Sequence, residues 1–380
     1  MNHVPAIDGT AKESWLFVRP KSGGGSDLQG LDAVAPPPGT SSESALRIEH
    51  AVPWGGFIGW MDSRRSTNPK VVLYIDGGGQ TGRQMGDGGT PEGLAPTFNP
   101  YLLWNNSVHS HWPDLVIRDA FPILDEIRQV KSAGEIAALR KAAAITAEGF
   151  WAAATAIAPG RTERQIEGEV LRACLLAGSN GPSLWPWIRS GPNSLGSALF
   201  AAFFNADNFS RVMKSGDVVR VDVGCDSDQY KGDLGRTVPV SGRFDEGQRE
   251  ALDLLTGAYL AGVETMKEGA AAKDIVQAGV RYVTEHRAQL KTDVGQKAAQ
   301  QMIANGNWPL HGLGLDMADG FPKILRAGNV ICFEPAVELD GQMLFVEDTI
   351  LITGSGHEIV NPPLQYWASD IERELAKRRK

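Results

Sequence analysis

The sequence predicts an α/β protein of the α+β kind in two parts: a short N-terminal mixed α/β domain over residues 1–120 and a larger domain over 121–380. Three observations predict it. Two stretches open with helix-capping patterns and carry apolar residues at helical spacing. Each pair of helical stretches is followed by β-branched runs, and this order occurs twice, which suggests two related halves. The first 120 residues lack that periodicity and are rich in Gly, Ser and Pro.

A chain of 380 residues can bury a large core. Its net charge of −8 argues against nucleic acid or an anionic membrane surface as a partner. No apolar run approaches transmembrane length, and the opening MNHVPAIDGTAKESWLFVRP has no apolar signal core, so a cytoplasmic protein is expected. The three cysteines, Cys174, Cys225 and Cys332, form no CxxC pair and are odd in number, so no disulfide framework is expected either.

In chain order, SWLFV and KVVLYID are strand candidates separated by the polar insert SGGGSDLQG to APPPGTSSES. DGGGQTGRQMGDGG lacks the GK[ST] ending of a phosphate loop and reads as a surface loop. In VHSHWPD, His109 and His111 beside Trp112 read as exposed loop groups, with cation binding or pocket capping as the functional alternative. Residues 114–130 make the connection. Ser132 and Glu135 form a capping box ahead of Ile136, Leu139, Ala143, Phe150 and Ala154, and Pro159 and Gly160 stop that helix. Thr162 and Gln165 repeat the pattern for a helix ending near Gly178. Further helices are predicted over about 245–267 and 272–290.

The chemistry is concentrated in VVRVDVGCDSDQYKGDLGRT, residues 218–237. Valines 218, 219, 221 and 223 alternate with Arg220, Asp222 and Gly224, so a strand presents a carboxylate on one face. Asp233 follows on what should be the neighbouring strand, and two carboxylates on one face repel each other unless a cation lies between them. His311 lies among glycines in LHGLGLD, while Glu334 and Glu347 sit in runs too apolar to bury a free carboxylate at low cost. Phe345, Glu347 and Thr349 share one face of the last run. One imidazole and four carboxylates suit two divalent cations better than a tetrahedral structural zinc.

DVGCDSDQYKGDLGRT, HGLGLD, FEPAVEL and VEDTILIT resemble the metal-ligand motifs of the pita-bread metallohydrolases, the family of aminopeptidase P, prolidase, methionine aminopeptidase and creatinase. The resemblance spans about residues 125–360. It implies a pita-bread catalytic domain in which Asp222 chelates one metal, His311 and Glu334 the other, and Asp233 and Glu347 bridge the two. It also implies a part for Glu334 in proton transfer to the leaving nitrogen, and a homodimer. By ligand type Mn²⁺ is the expected ion, with Co²⁺, Zn²⁺ or Fe²⁺ as alternatives. Such a centre lowers the pKa of a bound water and polarises a carbonyl, which suits hydrolysis of C–N bonds in a peptide or a small amide-type substrate.

The chain departs from the peptidase pattern at three places. Where the family peptidases carry a histidine in HGxGxxxH there is Ala318, where they carry one after a GPNS-like run there is Ala198, and where the proline-cleaving branch carries arginine there is Phe345. The front domain also looks shortened. The expected function is therefore a dinuclear metal-dependent hydrolase, Xaa-Pro aminopeptidase-like or dipeptidase-like. A creatinase-like or other non-peptide hydrolase or lyase is the alternative, and a catalytically silent binding protein is the rival from another class. Trp185, Trp187, Trp308 and Phe345 are candidate apolar contacts for a changed substrate.

Overall fold

The computed structural model describes residues 3–18, 48–53, 55–75, 100–196, 211–306 and 308–379. The two glycine-rich stretches of the front part, and Ala198, lie outside the described residues. By contacts the chain divides into two compact units, residues 1–75 with 102–119, and residues 76–101 with 120–380.

In the first unit β1 (His3–Asp8) pairs antiparallel with β2 (Glu13–Val18), and β2 pairs parallel with β3 (His50–Pro53). Helix α1 (Gly56–Thr67) follows, and β4 (Val72–Ile75) pairs parallel with β5 (Val116–Asp119). Met61, Val108, Trp112 and Leu115 form its core. The segment expected as a loop around the two histidines is instead the end of helix α2 (Pro100–His111), where His109 and His111 are exposed. Trp112 is buried, donates its indole N–H to Asp62 at 2.8 Å and meets the His111 ring edge-on at 4.5 Å between centroids, so it anchors the core beneath the exposed histidines.

The second unit opens with α3 (Phe121–Gln129), then α4 (Ala133–Ala156) and α5 (Glu163–Leu176). Both predicted capping boxes form: Ser132 with Glu135, and Thr162 with Gln165. Strands β6 (Trp187–Ser190), β7 (Val218–Val223) and β8 (Leu234–Pro239) follow. Then come α6 (Glu246–Val263), α7 (Ala272–His286) and α8 (Asp293–Ala304). The remaining strands are β9 (Leu310–Gly312), β10 (Val330–Phe333), β11 (Ala336–Leu339), β12 (Gln342–Ile352) and β13 (His357–Ile359), and α9 (Ala368–Arg378) ends the chain. Helices α1, α3, α8 and α9 are additions to the sequence reading. No described helix is long and apolar enough to cross a membrane.

These strands form one sheet in the order β6-β7-β8-β12-β10-β9, with β11 and β13 also paired to β12, and every pairing is antiparallel. Side chains alternate across it. Val219, Val221, Val223, Val346 and Ile350 join Phe150, Ala154 and Tyr259 in the main core, because α4 packs on β7 and β8 while α6 packs on β12. The opposite face is left to the polar residues that interleave with them.

One expectation fails here. Cys174 on α5 and Cys225, just past β7, form a disulfide across 51 positions, with Cα atoms 5.7 Å apart. Sequence spacing could not reveal it, because the fold brings helix and strand end together over Gly149, whose missing side chain leaves room for both sulfurs. Cys332 is the free, buried thiol.

Candidate metal centre

The strand register explains how residues scattered over 126 positions meet. His311 on β9 lies opposite Cys332 on β10, and Cys332 lies opposite Thr349 on β12. Thr349 donates its hydroxyl to the carbonyl of Asp233 at 2.9 Å, at the entry to β8. These four residues make one row across the sheet. In the next row Glu347 lies opposite Gly235, and Gly235 opposite Asp222. Glu334 follows the last residue of β10 and completes the set. Gly235 is required in this row: a Cβ there would stand 2.0 Å from the ring of Phe345.

The five predicted side chains gather on this face. His311 Nε2 lies 3.1 Å from Glu334 Oε1, 3.6 Å from Asp233 Oδ2 and 3.8 Å from Glu347 Oε1. Asp222 Oδ2 is held by Arg220 Nη2 at 2.8 Å, and the same nitrogen is 3.9 Å from Glu334 Oε2. The side chains of Asp222, Asp233 and Glu347 are 6%, 4% and 2% exposed, against 17% for Glu334 and 23% for His311. The first three therefore form the floor, and Glu334 and His311 face the opening.

Carboxylates this deep do not ionise easily. Burial, reinforced by the Asp222 charge, pushes Asp233 up to about 8. Burial and the Asp233 charge drive Glu347 well above the usual carboxylate range. Burial also raises Asp222, against the opposing pull of Arg220. For His311 burial acts downward, but hydrogen bonds to Glu334 and Glu347 outweigh it and hold the imidazolium well above its ordinary range. Without a cation, then, the cluster retains protons that the unfolded chain releases.

The donor set fits divalent cations. Glu347 Oε2 is buried and has no hydrogen-bond partner, the orphaned atom that a cation would satisfy. Ligand atoms of Asp233, His311, Cys332 and Glu347 all lie within 4.8 Å of one another. Sequence reasoning did not place Cys332 here, although it stands two positions before Glu334 and so shares its face. Arg220, which the alternation with valines already puts on the Asp222 face, was given no part in the site.

A stability prediction follows from the sign of these shifts. Folded-state pKa values above the unfolded ones mean that the folded metal-free protein binds more protons. The cluster's contribution to stability is fully present below the unfolded carboxylate range and is lost as pH rises towards about 8, the value for Asp233. The melting temperature of chelated protein should fall between pH 5 and pH 8, and saturating Mn²⁺ should abolish most of the fall. A flat profile for the chelated protein would contradict the assignment of buried, protonated acids.

Of the aromatic candidates, Phe345 borders the site, packed under the Arg220 guanidinium at 3.8 Å from ring centroid to Cζ. Trp187 lies 5.6 Å from the same carbon. Trp308 is core: it is buried against Phe333 and donates to the Ala336 carbonyl at 3.2 Å. Trp185 is half-exposed and donates its indole N–H to Glu167 at 3.1 Å. Ala318 is half-buried in the segment between β9 and β10.

An antiparallel sheet that gathers acids and an imidazole on one face, with two sets of helices against the other, is the pita-bread architecture of metallohydrolases. The chain belongs to metallopeptidase family M24, whose profile matches residues 137–354, more than half of its length. It is 30% identical over 282 residues to an Xaa-Pro aminopeptidase of Escherichia coli, covering 68% of this chain and 62% of that protein. It is 29% identical over 279 residues to the Xaa-Pro aminopeptidase of Haemophilus influenzae, covering 67% and 63%. The chain thus matches a little under two thirds of these relatives' length. Among solved structures it is similar to proline aminopeptidase P II from Yersinia pestis, with a TM-score of 0.71 and 25% identity over 97% of this chain and 85% of that one. Aminopeptidase PepP from Pseudomonas aeruginosa shares the fold, with a TM-score of 0.72 at 22% identity over 97% and 83% of the two chains.

Proposed function

We propose that this chain is a dinuclear, metal-dependent hydrolase of C–N bonds, Xaa-Pro aminopeptidase-like, acting on short peptides. The observation that carries the reading is the buried convergence of Asp222, Asp233, His311, Glu334 and Glu347, with one oxygen of Glu347 left without a partner. In this reading Asp222, Asp233, His311, Glu334 and Glu347 would hold the cations, with His311 and Glu334 at one side of the cluster and Asp222 at the other. Mn²⁺ is the ion proposed from the oxygen-rich set. When bound, the cations would supply an activated water and an electrophile for the carbonyl oxygen.

The chain's own residues do the rest. Glu334, the most exposed of the four carboxylates and 3.1 Å from the imidazole, is placed to carry a proton between the attacking water and the leaving nitrogen. The ring of Phe345 and the methyl of Ala318 offer a substrate no hydrogen bonds at the places where the family pattern has arginine and histidine. Each missing donor commonly costs on the order of 10²-fold in rate. Slow turnover of ordinary Xaa-Pro peptides is therefore expected. The domain division at about residue 120, supported by the compact unit ending at residue 119, and homodimer formation belong to the same proposal.

Purified protein freed of metal and reloaded with Mn²⁺ should hydrolyse at least one member of a panel of Xaa-Pro dipeptides and longer peptides, and chelation should stop it. Ala318→His should raise kcat/KM on that peptide by about tenfold or more. No turnover of any member by the loaded protein would sink the peptidase reading. An Ala318→His variant no faster than the parent would instead place the loss of efficiency elsewhere in the pocket.

A further inference from the structure

Arg220 stands in a built position that no expected ligand role accounts for. Its side chain is buried on the same face as Asp222, one strand step away. Its Cζ stands over two aromatic rings, 3.8 Å from the Phe345 centroid and 5.6 Å from that of Trp187. Nη2 is 2.8 Å from Asp222 Oδ2 and 3.9 Å from Glu334 Oε2, Nη1 is 3.6 Å from Met343 Sδ, and Nε is buried with no hydrogen-bond partner. The platform beneath is specific: Phe345 can lie there only because Gly235 leaves the space.

From this we infer that Arg220 is a resident cation that competes with metal for Asp222 and so weakens metal binding at that half of the centre. The inference rests on the five ligands assigned above. Asp222 is the ligand proposed at the other side of the cluster from His311 and Glu334, and one of its two oxygens is already engaged by a fixed positive charge. A divalent ion arriving there must share the carboxylate and accept repulsion from a guanidinium that its surroundings keep from moving away. The half formed by Asp233, His311, Glu334 and Glu347 holds three carboxylates and the orphaned oxygen, and among the described residues no arginine or lysine pairs with the side chain of His311, Asp233 or Glu347. Occupancy of the Asp222 half, and with it activity at limiting metal, is then set by a residue that is not itself a ligand.

Isothermal titration calorimetry of Mn²⁺ into metal-free full-length protein at pH 7.5 tests this directly. Wild type should show one tight site and a second at least 100-fold weaker. Arg220→Met, and Arg220→Gln as the variant that keeps polarity and size, should tighten the second site at least tenfold while moving the first by less than threefold. Circular dichroism and melting temperature serve as the check on folding. Two wild-type sites within threefold of each other overturn the inference without help from any variant. So does a site ratio unchanged in a folded Arg220→Met or Arg220→Gln protein, while in both cases the metal centre itself stands. Absence of any Mn²⁺ binding by wild type overturns the ligand assignment and the inference with it.

Discussion

Replacing Glu347 by glutamine is expected to lower kcat/KM by on the order of 10³-fold or more, while raising the melting temperature of the metal-free protein above pH 7. Both effects have one origin. The Glu347 side chain is 2% exposed, its Oε2 has no partner, and burial with the Asp233 charge lifts its pKa far out of the carboxylate range. In the metal-free protein at neutral pH that carboxylate is a cost, because it must either keep its proton or bury an unpaired charge. Glutamine removes the charge and so relieves the cost, but it also removes an anionic oxygen that the proposed cations need. Stability and activity should move in opposite directions, as they do when a polar site is maintained for function. Assays of the Mn²⁺-loaded variant beside differential scanning calorimetry of the chelated protein read both. Retained activity, or a metal-free variant less stable than the parent at pH 8, would contradict the account.

Replacing Arg236 by methionine should destabilise the protein by about 3–5 kcal/mol, lowering the melting temperature by roughly 10 °C. Arg236 lies on β8 with its side chain on the helix-packed face, the reverse side from the metal ligands, and it is 1% exposed. Its Nη2 bonds both carboxylate oxygens of Asp348, at 3.0 and 2.9 Å, and Nη1 donates to the carbonyls of Gly235 and Glu347. Tyr259 and Tyr366 donate their hydroxyls to Asp348 Oδ2 at 2.7 and 2.9 Å, so the carboxylate is satisfied from three sides. Removing the guanidinium leaves Asp348 buried beside two tyrosines with no cation. The double variant Arg236→Met with Asp348→Leu should recover part of the loss, since an apolar pair avoids the stranded charge. Because Asp348 follows Glu347 directly, this network also fixes the strand segment that presents the ligand.

The legible parts of the molecule were those that local chemistry specifies. Ser132 with Glu135 and Thr162 with Gln165 cap helices in the structure as their spacing predicts, since a capping box is closed within four residues. The four acids and the histidine were legible because Asp222, Glu334 and Glu347 interrupt apolar runs while Asp233 and His311 stand beside glycines, and the period of two along a strand gives the face. Other features depended on distant partners. Nothing near Cys174 announces Cys225, and α9, with only Ala368, Ile371 and Leu375 buried, carries too few apolar positions to stand out. Helix α8 does have a local signal, Thr292 capping the amide of Gly295, but its alanines gave a weak apolar stripe. Arg220 and Cys332 share a face with Asp222 and Glu334 by the strand period, yet which ligands they meet across the sheet follows only from the register of β7 against β8 and of β10 against β9 and β12.

The most direct test of the central claim is an anomalous difference map from crystals of the protein soaked in Mn²⁺. The account predicts a strong peak enclosed by Asp233, His311, Glu334 and Glu347, with a second, weaker one on the Asp222 side at higher Mn²⁺ concentration. Ordered Mn²⁺ elsewhere on the molecule, with these side chains unliganded and still hydrogen-bonded to one another, would contradict it.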